Sequence, residues 1–61
     1  MKAKLEIDMS NAGFVECNGA EVARILRKLA ESIAERDFVS PATIALSDVD
    51  GNPCGLFRVT R

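Results

Sequence analysis

Asn18–Arg36, NGAEVARILRKLAESIAER, is the stretch whose reading decides the fold. Advancing about 100° per residue from Val22 brings Leu29, Ile33, Leu26 and Ile25 within about 60° of it, with Ala23 and Ala30 at the rim. The opposite face carries Arg24, Arg27, Lys28, Glu31 and Glu35. This is the pattern of an amphipathic helix with one apolar face, and Arg27 and Glu31 are spaced to pair across a turn for about 0.2 to 0.5 kcal/mol. Asn18 followed three residues later by Glu21 predicts an Asn variant of the capping box at its start. Glu35 and Asp37 sit where the helix dipole prefers cations, so the helix should fray after Ala34.

Working outward, residues 2 to 9 alternate: Ala3, Leu5, Ile7 and Met9 on one side, Lys2, Lys4, Glu6 and Asp8 on the other. That is a half-buried strand with one wet face. Ser10-Asn11-Ala12-Gly13 reads as a turn, and Phe14 and Val15 as apolar anchors before the helix. Beyond the helix, Phe38 and Val39 are placed to tuck under its end, and Ser40-Pro41 introduces a second strand over Ala42–Val49 with Ile44 and Leu46 inward. Asp50-Gly51 fits a hairpin tip, Gly55 a bulge, and Leu56–Arg61 a third strand with Phe57 and Val59 inward. The fold class is therefore α+β: β-α-β-β, a three-stranded mixed sheet with one amphipathic helix packed on one face. The third strand sits between the other two or at an edge; the middle is favoured because Pro41 suits an edge position for the second.

Sixty-one residues make a single small domain, 1–61, able to bury only about 60% of its unfolded surface, so a partner or second copy is a natural source of further burial. The chain is 48% hydrophobic with a net charge of -1, a balance that excludes reliance on phosphate attraction over the whole surface. No stretch approaches the roughly 20 apolar residues of a membrane span, and Met1–Glu6 lacks the apolar run of a signal peptide, so a cytoplasmic protein is expected. In that compartment Cys17 and Cys54 are expected as free thiols.

There is no His, and with it the commonest general base and metal ligand are missing, which argues against an enzyme. Asp48-Val49-Asp50-Gly51-Asn52 shares oxygen spacing with part of a calcium loop but lacks the terminal bidentate acid, so a plain turn is favoured and no metal or cofactor is expected. Cys17, beside the helix start, is the residue for a thiol chemistry, with no His to activate it. For nucleic acid the candidate contacts are Arg24, Arg27 and Lys28 on the helix and Lys2, Lys4 and Arg58 on the strands, interrupted by Glu21, Glu31, Glu6 and Asp8.

Asn18–Ala30, Leu46–Gly55 and the charged first strand together resemble small uncharacterised proteins of bacterial and bacteriophage or prophage genomes. The resemblance implies a compact accessory protein and brings no site residues with it. The expected function is a small non-enzymatic interaction module, self-associating or binding a protein partner through its open sheet; nucleic-acid binding through a local basic patch is the alternative.

Overall fold

The computed structural model describes residues 1–61 as strand β1 (Lys2–Ile7), a short 3-10 turn (Ala12–Phe14), helix α1 (Asn18–Ile33), strand β2 (Ala42–Ser47) and strand β3 (Pro53–Thr60). The strands lie in the order β1-β3-β2, so β3 is the middle strand. Both ladders are antiparallel, with Leu5 opposite Phe57 and Phe57 opposite Ile44. β1 and β2 run the same way but never touch as neighbours, which turns the mixed sheet expected from sequence into an antiparallel one.

Residues directly opposite one another share a face. Ala3, Leu5 and Ile7 thus share the helix side with Gly55, Phe57, Val59, Ala42, Ile44 and Leu46. The core gathers where α1 meets this surface: Ile25 and Leu29 from the helix, Phe14 from the 3-10 turn, and Leu46 and Cys54 from the hairpin, flanked by Ile7, Val22, Ile33, Ile44 and Phe57. Strand parity alone would put Cys54 on the other side. The register slips between Leu46 and Ser47, and the extra residue of this bulge turns the Cys54 side chain inward. Its neighbour Gly55 must be glycine, because a methyl group there would collide with the Glu6 carbonyl of β1.

The helix is not centred on the sheet. It packs on β2 and on the 3-10 turn, and the far part of β1 stays bare: Leu5 is 44% exposed, and Leu26, on the neighbouring flank of the helix, 39%. Phe38 closes the other end, its ring 6.1 Å from that of Phe57 and capped by the Arg36 guanidinium 4.8 Å above.

Four sequence expectations are corrected. Met9 lies beyond the end of β1 and is exposed. Val15 and Val39 point to solvent at 78% and 77% exposure, since Phe14 and Phe38 take the two apolar slots beside them. The helix has no capping box: Cys17 occupies the N-cap position with φ +50° and no side-chain hydrogen bond, and its carbonyl accepts the Ala20 and Glu21 amides. Arg27 and Glu31 form no ion pair; the one that exists joins Arg24 to Glu21. The helix does end at Ile33, with the Arg36 amide closing on the Ile33 carbonyl.

Candidate functional site

Glu21 belongs to the first turn of α1, but its position on the wheel, four residues before Ile25, aims it at the sheet and not back at the cap. Its carboxylate is almost fully buried and is held from two sides. Arg24 donates from Nε to Oε1 at 2.7 Å and from Nη2 to Oε2 at 3.1 Å, and the Val49 amide donates to Oε2 at 2.8 Å. Arg24 Nη2 also reaches the Ser47 carbonyl at 3.4 Å. One helix turn is thereby tied to the end of β2 and to the loop that follows it.

The loop is organised by a second buried carboxylate. Asp48 Oδ1 accepts the amides of Asp50 and Asn52, both at 2.9 Å, while its backbone amide donates to the Asn52 carbonyl and its carbonyl accepts the Gly51 amide. Gly51 has φ +83°, the left-handed tip expected of the Asp50-Gly51 pair. These oxygens serve the turn.

Electrostatics follow from these contacts. The Arg24 hydrogen bonds hold the Glu21 carboxyl below its ordinary pKa against the opposing effect of burial. For Asp48 burial pushes upward, and the Asn52 and Asp50 amides outweigh it, leaving a lowered pKa. Burial raises the Cys54 thiol, with Asp48 and Glu21 adding to the effect. Cys54 is thus an inert core thiol, and Cys17 an exposed free one.

Beside this anchor runs a groove of about 490 Å³ between the Arg24/Lys28/Ser32 flank of α1 and Ile44–Ser47 of β2 with Asp48 and Val49 of the loop that follows. Its floor is apolar where Ile25, Leu29, Ile44 and Leu46 reach it. Its charged lining is Arg24, engaged by Glu21, the Asp48 carboxylate, and Lys28, which has no carboxylate partner. β2 is an edge strand, so the groove opens on its unpaired side.

The candidate basic residues separate into two groups. Lys4 lies directly opposite Arg58 and Lys2 opposite Thr60, so Lys2, Lys4 and Arg58 come together on the helix-free face. Arg24, Arg27 and Lys28 sit on α1, in the other layer, and of these Arg24 is spent on Glu21. Sequence reasoning missed the groove and the Glu21 anchor. The available signal was the wheel itself, which places residue 21 on the same stripe as Ile25 and Leu29. Comparison with protein-family models, curated proteins and solved structures finds no match to the chain.

Proposed function

We propose that the chain is a non-enzymatic protein-interaction module that takes an extended segment of a partner onto the open edge of β2. What carries this reading is the position of that edge, beside an apolar-floored groove under α1. Strand addition needs a row of unsatisfied backbone groups and pockets for alternate side chains. The first is supplied by Thr43 and Ala45: the Ser47 carbonyl, itself engaged by Arg24, marks the outward side, and alternate residues of a strand turn their backbone groups the same way. The second is the groove, where Lys28 favours an acidic side chain on the incoming segment. An accessory role of this kind also fits the resemblance to small phage and prophage proteins.

Panning a library of displayed random peptides against the immobilised protein tests the reading. Enriched sequences should be extended and acidic, should lose binding on Ala45→Pro, which removes an outward donor, and should lose their acidic preference on Lys28→Glu. Peptides that bind the Ala45→Pro protein equally well, with its circular dichroism unchanged, would sink the proposal.

Nucleic-acid binding is the second reading, favoured by the register that sets Lys4 beside Arg58 with Lys2 nearby. A labelled single strand should then bind at low salt and dissociate steeply as salt rises, with Arg58→Ala weakening it. No anisotropy change at low salt removes this alternative.

A further inference from the structure

β1 has one row of backbone groups in use and one row free. The Asp8 amide donates to the Cys54 carbonyl at 2.6 Å, and the Glu6 carbonyl lies against Gly55, so the even-numbered residues of this strand turn their backbone groups toward β3. In an antiparallel ladder the alternate residues face the other way. The N–H and C=O groups of Ala3, Leu5 and Ile7 therefore point out from the free edge.

The side chains along this edge are antisymmetric in charge about Leu5. Lys4 and Glu6 flank it at one residue, Lys2 and Asp8 at three, and Ala3 and Ile7 at two. Set a second β1 antiparallel to the first with Leu5 opposite Leu5. Lys4 then faces Glu6 and Lys2 faces Asp8, each pair occurring twice, while Ala3 faces Ile7 on the helix side. Centring the pair on Lys4 puts Lys4 against Lys4, and centring it on Glu6 puts Glu6 against Glu6. Among registers that keep both copies' helices on one face, the Leu5 register alone of these three matches every charge with its opposite.

Two features of the single chain are relieved by this arrangement. Lys4 and Arg58 are like charges directly opposite each other, and Glu6 of a second copy arrives beside them. Leu5 and Leu26 are exposed on the side where α1 fails to cover β1, which is the side a second copy's Leu5 would approach.

We propose that β1 is a dimerisation strand, pairing antiparallel with β1 of a second copy about a two-fold axis through Leu5 to give a six-stranded sheet with both helices on one face. The proposal goes beyond the reading of β2 and leaves that edge free at both ends of the joined sheet.

Light scattering on the full chain across a concentration range should give twice the chain mass, unchanged by reductant. Lys4→Glu places a carboxylate beside Arg58 of its own chain, favouring the fold, yet opposite Glu6 of the second copy, so the dimer should weaken about tenfold or more. Lys4→Glu with Glu6→Lys should restore it. In a Cys17→Ser background, Leu5→Cys should form a covalent dimer with oxidised glutathione, and Ala3→Cys should not. A monomer at every concentration overturns the proposal. So does a dimer that ignores Lys4→Glu and does not cross-link through Leu5→Cys, and neither result touches peptide capture by β2.

Discussion

The β2–β3 hairpin and β1 belong to one sheet and are held by different means. The hairpin is covered by α1, tied to it by the Glu21 carboxylate that receives both Arg24 and the Val49 amide, and closed by the Asp48 turn. β1 has its ladder to β3, one partly buried anchor in Ile7, and a bare Leu5. Apolar letters of similar size therefore differ in worth: burial stabilises in proportion to area removed from water, and the helix removes that area on one side of the sheet only. In a chain this small, the uncovered strand is where association can add most.

The largest effect should come from Leu29→Ala, at about 2 to 5 kcal/mol, enough to unfold a domain of this size. Leu5→Ala in dilute solution should cost under about 1 kcal/mol, because much of that side chain is already wet. Paired urea titrations check both, and equal losses would erase the contrast between the two regions. Gly55→Ala should rank next, at about 1 to 3 kcal/mol, since the added methyl must displace the Glu6 carbonyl. Nuclear magnetic resonance should show the damage concentrated in β1.

Acid should loosen the anchored side. Glu21 and Asp48 have lowered pKa values in the native state, so the unfolded chain binds protons first as pH falls. Their contribution is complete above the ordinary carboxylate range of about 4 and is lost as pH drops through the native values. Glu21→Gln should lower the melting temperature at pH 7 and flatten its acid dependence, which a series of thermal melts from neutral to strongly acidic pH will read. The smallest expected effect is a gain: Cys17→Gly relieves φ +50° at the helix start and should stabilise by up to about 1 kcal/mol.

The helix face was legible because Ile25 and Leu29 recur with the helical period, and the hairpin because Asp50-Gly51 demands a positive φ and Gly55 sits at a bulge. Glu21 was misread for a physical reason. Its spacing from Asn18 suits a capping contact, whereas its actual partners are Arg24, one turn further along the helix, and the Val49 amide, 28 residues away. Periodicity likewise orders Leu5 and Met9 onto the apolar side of the first strand, but it carries no information on how far a helix reaches across a sheet. The groove was illegible for the same cause, being a product of the helix's lateral offset toward β2. The basic residues could be named, but only the register showed that Lys4 meets Arg58 while Arg24 turns to Glu21.

The account turns on β1 being the open side of the molecule, with one row of amides bonded to β3 and the other free for a second copy. Amide hydrogen exchange resolved by residue, measured at low and high protein concentration, tests this most directly. Lys4, Glu6 and Asp8 should be protected at both concentrations, and Leu5 and Ile7 only at the higher. Leu5 and Ile7 amides that exchange freely at every concentration, or that are protected as strongly in dilute solution as their neighbours, would contradict it.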